Sequence, residues 1–200
     1  MFGQNHRGGH HGERQELETV LTYALETGSA QWIGTRNRLN DAVGILHTRP
    51  EMGLCMVTAD GIGTDEAAGR AAREALKAVT ENYEGETLIA SLPAQTLGFL
   101  GKAHARLEAL NRHLLSSGEM TTGAAVACLL LRGGKACVAS VGNVRTFLLR
   151  RSLLLPLSRD QLLSLETEER DILSGDAPEV ESDMAMMVTA YAGMENLKRL

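Results

Sequence analysis

The sequence predicts an α+β domain in which antiparallel sheet carries helices on its surface. Short apolar runs separated by glycine-containing turns occur early and late in the chain, and such runs are typical of antiparallel strands. Two long segments between them repeat their apolar residues at helical spacing. Because strands and helices come in separate blocks, the pattern favours α+β over a parallel α/β sheet.

The composition describes one ordinary globular domain, since 44% of the 200 residues are hydrophobic and 22% are charged. The net charge of -5 argues against nucleic acid or an anionic membrane as a partner, because both need a basic surface. The longest apolar stretch, Gly123 to Leu131, is far shorter than the roughly 20 residues that cross a bilayer. No basic start followed by an apolar run marks a secretory signal, so a cytoplasmic location is expected.

The chain divides into a tail at residues 1–12 and a single domain at residues 13–200. The tail is rich in glycine and histidine and has no periodicity, which predicts a flexible segment. Its three histidines could hold a transition metal, but a solvated tail is favoured because nothing fixes the ligand geometry. The domain then opens with a predicted helix from Glu13 to Thr27, which Gly28 ends.

Three strands are predicted next. Ala30 to Thr35 and Ala42 to Thr48 are apolar runs on either side of a polar connector. A third run, Gly53 to Thr58, ends on Ala59-Asp60-Gly61, which places the Asp60 carboxylate at a strand end.

Two long helices follow these strands. The first carries an alanine-rich face between Ala68 and Val79, which suits close packing on a sheet. The second carries a leucine stripe from Leu97 to Leu114 that includes His104. Single buried polar residues are usually satisfied structurally, so His104 is interpreted as a core or boundary histidine with one hydrogen bond rather than a ligand or base.

The last third of the chain is predicted to be mainly strand. The connections at Arg132–Gly134 and Gly142–Asn143 look like hairpins. The elements predicted here are strands Ala124–Leu131, Ala136–Val141, Arg145–Leu149, Leu153–Leu157 and Met184–Thr189, and a helix Glu166–Leu173.

Three cysteines, Cys55, Cys128 and Cys137, lie within apolar runs. An odd number without a paired spacing is neither a disulfide framework nor a zinc site. They are therefore predicted to be reduced thiols that act as small buried apolar residues.

Four segments in a fixed order resemble the metal-dependent protein phosphatases of the PPM, or type 2C, family. The family pattern G-x-x-R-x-x-N-E-D-A is matched by Gly34, Arg36, Asp41 and Ala42, with Leu39-Asn40 in place of Asn-Glu. The family's A-D-G-M-G-G strand end is similar to Ala59-Asp60-Gly61-Ile62-Gly63-Thr64.

The other two segments lie in the later strand block. A family G-T-T strand opener resembles Met120-Thr121-Thr122-Gly123. The family's A-x-V-G-D-S-R-x-Y-L-L is matched by Ala139–Leu149, and its L-T-x-D-H by Leu157–Gln161. Each motif alone is weak, since Asp-Gly after a strand is usually only a turn, but the order and spacing extend from Gly34 to about Gly193.

The resemblance implies a four-layer α/β/β/α sandwich of two antiparallel sheets flanked by helices. It also implies hydrolysis of phosphoserine and phosphothreonine with paired Mg²⁺ or Mn²⁺ ions, which activate a water and neutralise phosphoryl charge. Asp60 matches the family's bridging metal ligand, Gly61 a carbonyl ligand, and Asp41 an aspartate that acts on the metals through water. Arg36 matches the arginine that binds the substrate phosphate. Without the family pattern, Arg36 would be an ordinary surface charge and Asp41 a turn or cap residue.

The sequence departs from the family where the second metal ion would bind. Asn143 replaces a family aspartate, and Thr189–Met194 contains no carboxylate where the family has S-D-G-L. The family also continues beyond the position of Leu200, so the domain is expected to lack the usual C-terminal end. We expect these departures to leave one weakly bound Mg²⁺ or Mn²⁺ ion.

Two functions therefore stay open. One is a divergent phosphatase acting weakly on a phosphoprotein, and the alternative is a pseudophosphatase that binds or regulates a protein partner. A shortened sheet would expose an edge, so a homodimer formed through that surface is one expectation, and a shield provided by the helix Glu13–Thr27 is the other.

Overall fold

A computed structural model of the chain describes residues 25–85, 87–88, 91–163, 165–166, 186–195 and 197. The tail predicted at residues 1–12 lies outside these residues, as do most of the helices predicted at 13–27 and 166–173. The strand predicted at 184–189 is described only from residue 186, and there it forms an isolated bridge from Val188 to Leu162. The division into a tail and one domain stays a prediction.

Six strands and two helices follow one another in the described part of the chain. They are β1 (Asp41–Leu46), β2 (Leu54–Ile62), α1 (Asp65–Gly85), α2 (Leu92–Ser116), β3 (Gly123–Arg132), β4 (Lys135–Val141), β5 (Phe147–Arg150) and β6 (Leu153–Pro156).

The strands form two antiparallel sheets. One has the order β1-β2-β3-β4, and the other consists of β5 and β6. Helix α1 lies over β1, β2 and β3, and α2 lies beside it over β3 and β4. The predicted α+β class, with two antiparallel sheets and helices, is confirmed. Among the described residues, no helix combines the length and apolar character needed to cross a bilayer.

The alanine face of α1 allows the helix to lie very close to the sheet. Ala68, Ala72 and Ala75 are buried, as the helical spacing predicted. The approach is tightest at Gly61 of β2, where an added Cβ would lie 1.9 Å from the Ala68 carbonyl oxygen. Only glycine fits there, because the obstacle is helix backbone rather than a movable side chain.

Helix α2 connects the sheet to the C-terminal segment. Ser91 caps its first turn by accepting a hydrogen bond from Ala94 N. Asn111 is buried and donates to the carbonyls of Thr122 and Gly193, at 2.7 and 2.9 Å. His104 is a boundary residue with a structural bond, as predicted, because its Nδ1 accepts from Gly193 N at 3.1 Å.

Two predicted elements are wrong. Residues Ala30 to Thr35 do not form a strand: Gly34 has a φ of +62°, and a turn closes from Arg36 N to Ile33 O. The Gly142–Asn143 connection is not a hairpin, because β4 and β5 belong to different sheets. Gly142 instead has a φ of +93° and is held on both sides by Gln161, which explains why the chain leaves the first sheet there.

The cysteines are free thiols, as predicted. Cys55 and Cys128 are buried and Cys137 is half-buried. Burial raises the pKa of Cys55 to about 12 and also raises that of Cys128, so both thiols stay protonated and unreactive.

Candidate functional site

Strand pairing brings two carboxylates together on one face of the sheet. In the β1–β2 register Asp41 lies directly opposite Asp60. The neighbours of Asp60, Ala59 and Gly61, face α1, so Asp60 and its partner Asp41 point to the other face. The sequence placed Asp60 at a strand end, but β2 continues to Ile62, and the carboxylate is therefore fixed by sheet pairing on both sides.

Burial and the neighbouring Asp41 change the acidity of Asp60. The pKa of Asp60 is raised to about 6, first by burial and then by the hydrogen bond and negative charge of Asp41. The positive charge of Arg36 lowers the same pKa in part. A cation placed between the two carboxylates would offset the negative charge that raises the pKa of Asp60.

A turn brings Arg36 to the same place. The turn from Ile33 to Arg36 folds the chain back, and Gln31 Nε2 donates to the Asp41 carbonyl at 3.1 Å. Arg36, Asp41 and Asp60 consequently line one cleft of about 170 Å³. Gly61 follows Asp60 on β2 and binds Asn40 O through its N–H at 3.0 Å, but it is not among the residues that line the cleft.

Five residues that line this cleft, Trp32 and Arg38 among them, were not predicted as site residues from the sequence. Trp32 forms part of the wall and is 86% exposed, and Arg38 lies beside it and pairs with Glu66 at 3.6 Å. Their closeness in sequence to Arg36, in a segment without regular periodicity, could have indicated that they belong to the same site. The role of Trp32 was missed because Ala30–Thr35 was interpreted as a strand, and that of Arg38 because it lies in the polar connector.

The opposite side of the site is built without carboxylates. Ala192 pairs with Ala124 of β3 through hydrogen bonds of 3.1 and 2.9 Å, next to the position where Ala124 pairs with Gly61. Tyr191 covers Gly123, since an added Cβ there would lie 2.2 Å from its ring. The backbone of the 189–194 segment thus joins the sheet, while its residues, Thr-Ala-Tyr-Ala-Gly-Met, include no carboxylate.

Two further carboxylates could have compensated for this loss. Asp183 lies outside the described residues. Glu195 is exposed and lines a different cavity, together with Glu108 and Arg112 of α2. Among the residues that the structure describes, no three His, Cys, Asp or Glu side chains gather at one place.

This donor set suits one hard divalent cation held by few ligands. Carboxylate and carbonyl oxygens are the ligands that Mg²⁺ and Mn²⁺ prefer, and the paired Asp41 and Asp60 supply the negative charge. The set fits such an ion in chemistry, because two carboxylates come together in the part of the chain that the structure describes. The assignment of Arg36, Asp41, Asp60 and Gly61 to catalysis and metal binding stays a prediction.

Solved structures identify the architecture. A stage II sporulation E family protein from Thermanaerovibrio acidaminovorans is similar over 80% of this chain and 68% of its own, with 27% identity and a TM-score of 0.57. The serine/threonine phosphatase PstP/Ppp of Mycobacterium tuberculosis matches over 80% and 65%, with 18% identity and a TM-score of 0.58. PppA of Pseudomonas aeruginosa, a regulatory component of its type VI secretion system, matches over 79% and 60%, with 23% identity and a TM-score of 0.58.

The chain has the PPM phosphatase fold. The predicted resemblance to this family is confirmed at the level of structure. No protein-family model matches the chain, and neither does the sequence of any curated protein. The chain spans 60–68% of the length of the three PPM-fold structures described above. The catalytic domain of PstP was solved with two manganese ions.

Proposed function

We propose that this chain is a divergent PPM-type phosphatase domain that binds one Mg²⁺ or Mn²⁺ ion weakly and hydrolyses phosphoserine and phosphothreonine esters weakly or not at all. The observation that supports this function is the pairing of Asp41 with Asp60 in a cleft that also holds Arg36. Fold similarity alone would not support it, because one fold carries many functions.

The residues of the cleft divide into anion-binding and cation-binding groups. Asp41, Asp60 and the Gly61 carbonyl would hold the cation, which when bound ionises a water and offsets phosphoryl charge. The Arg36 guanidinium would bind two phosphoryl oxygens through its paired N–H groups. Asp41, which lies across from Asp60, would accept a hydrogen bond from the water and orient it.

The expected weakness follows from the other side of the site. Two-metal hydrolysis distributes the phosphoryl charge over both ions, and the second ion needs carboxylates of its own. The segment 189–194 supplies none, and Asn143 carries no charge. This same observation favours the second candidate function, a pseudophosphatase that uses the retained fold to bind a protein partner.

The test combines cation binding with hydrolysis. Calorimetric titration of Mn²⁺ should show about one weakly bound equivalent, which Asp60→Ala removes and Glu119→Gln, an exposed acid outside the cleft, leaves unchanged. Turnover of p-nitrophenyl phosphate and of a phosphothreonine peptide is then measured with both variants. Slow hydrolysis that depends on Asp60 supports the phosphatase. Metal binding without hydrolysis favours the pseudophosphatase.

Either of two results would refute the proposal. Tight binding of two equivalents would show that the chain has a second set of ligands. Hydrolysis that Asp60→Ala does not change would show that the activity arises elsewhere.

A further inference from the structure

We propose that Trp32 is a stacking wall of the Asp41–Asp60 cleft and makes the cleft selective for aryl phosphates, in which the phosphoryl group is attached to a planar ring, as in phosphotyrosine. The inference rests on the proposed function, because it concerns the same cleft. It names aryl phosphates as the class that the cleft binds in preference to phosphoserine and phosphothreonine, whose hydrolysis we propose to be weak or absent.

The first observation is where the chain places its single tryptophan. Trp32 lines the cleft with Asp41 and Asp60 and leaves 86% of its surface in water. A tryptophan this exposed forgoes most of the free energy that its burial would contribute. Exposed tryptophans on the wall of a cleft are suited to ligand contact, because the indole offers a large, rigid and planar surface.

The second observation is that hydrogen bonds hold the chain on both sides of Trp32. On one side, Gln31 Nε2 donates to the carbonyl of Asp41. On the other, the Ile33–Arg36 turn is closed by a backbone hydrogen bond of 3.3 Å, with Gly34 in the left-handed region. The position of Trp32 is thus set by the same contacts that bring Arg36 to the cleft.

The third observation is the charge next to the ring. Arg36 and Arg38 lie on the same cleft wall as Trp32. Arg38 pairs with Glu66, whereas Arg36 forms no ion pair within the part of the chain that the structure describes. An available guanidinium beside an exposed indole offers an anion site and a planar site together. An alkyl phosphate would fill only the first.

The size of the cleft indicates where the phosphoryl group and the ring of such a ligand would lie. A volume of about 170 Å³ is below the range of roughly 300–1,000 Å³ for pockets that enclose a whole small molecule. The phosphoryl group would therefore enter the cleft, while the ring stays at the rim against Trp32. We expect the contact to need a ring attached to the phosphorus directly or through one atom, because a longer spacer would place the ring away from the indole.

The test compares two ligands that differ only in the ring and that the protein cannot hydrolyse, phenylphosphonate and ethylphosphonate. Both are titrated into the whole chain with excess Mg²⁺, and binding is followed by the fluorescence of Trp32. We expect phenylphosphonate to bind about threefold to tenfold more tightly, the range that aromatic contacts supply.

Variants decide whether the ring causes the preference. Trp32→Leu, measured by calorimetry, should bind both phosphonates equally, and Trp32→Phe should keep most of the preference. Leu149→Ala, which truncates an exposed side chain outside the cleft, should leave the affinities unchanged.

The inference is wrong if the two phosphonates bind the unmodified chain equally, if neither binds, or if the preference survives in Trp32→Leu. Failure of the proposed function has a different signature, since it appears as Mn²⁺ binding that does not depend on Asp60. Equal, Arg36-dependent binding of both phosphonates would leave the phosphate cleft intact and remove only the stacking role.

Discussion

The two sides of the site use the same sheet in different ways. On the β1–β2 side, pairing sets Asp41 against Asp60 and retains the acidic groups. On the β3 side, Ala192 forms an isolated bridge with Ala124 through two backbone hydrogen bonds, and residues 189–194 contain no carboxylate. Backbone pairing is therefore present on both sides, whereas the carboxylates that we propose for cation binding are present on one side of the described site.

The largest effect on stability is expected at Gly61, where α1 packs most tightly against the strand that carries Asp60. Gly61→Ala would place a methyl group 1.9 Å from the Ala68 carbonyl oxygen, so α1 must move away from β2. We expect a loss of about 3 kcal/mol in the free energy of unfolding, measured by urea denaturation.

Two glycines serve as controls for this prediction. Gly123→Ala would meet the Tyr191 ring at 2.2 Å and the Ala192 carbonyl oxygen at 2.9 Å. Because the nearest obstacle is a side chain and the backbone atom lies farther away than at Gly61, a smaller loss of about 1 kcal/mol is expected on the other side of the site. Gly98→Ala lies in open space within α2 and should stabilise by about 0.5–1 kcal/mol. An equal cost at positions 61 and 123 would contradict the difference in packing between the two sides.

The sequence predicted the elements well wherever local pattern decides them. The two long helices and strands β1 to β4 were predicted within a few residues, because their apolar spacing or their turns are local signals. The strand predicted at Ala30–Thr35 was wrong because a positive φ at Gly34 overrides the apolar run. The partner of Asp60 could not be derived from local pattern, since strand register depends on contacts between distant residues.

A carboxylate added on the β3 side of the site tests whether the missing acidic group limits cation binding. Residue 191 precedes Ala192, which faces the core with Ala124, so it lies on the same face of the sheet as Asp60. Tyr191→Asp should tighten Mn²⁺ binding about tenfold, because charged oxygen ligands raise the affinity for hard cations. Titration calorimetry measures the change.

Tyr191→Asn is the matched control for that variant. It removes the same ring and has nearly the volume of aspartate, but it adds no charge. Affinities that rise equally in both variants would show that loss of the ring, rather than the new carboxylate, is responsible. An unchanged affinity in Tyr191→Asp would mean that position 191 lies too far from the cation.

The smallest expected effect is on the stability of the metal-free protein, which is lowered when Asp41 and Asp60 are held close together. The pKa of Asp60 is raised to about 6 from its ordinary value of 3.8, so between these values the unfolded chain loses its proton while the folded chain keeps it. The unfolded state then binds fewer protons, and stability falls as pH rises from about 4 to about 6. Asp60→Asn removes the ionisation and should stabilise the metal-free protein above pH 6. Because Asp60 is half-exposed, water screens the charge, and about 1 kcal/mol is expected.

Urea denaturation in EDTA at pH 4 and pH 7.5 tests this, and Glu119→Gln is the control. A variant that is no more stable at pH 7.5 than the unmodified chain would show that the acidic pair costs nothing. The two sides of the site would then not differ in their effect on the free energy of unfolding. A gain confined to the higher pH would instead show that this side keeps its carboxylates at the expense of stability, as expected for groups retained for binding rather than for folding.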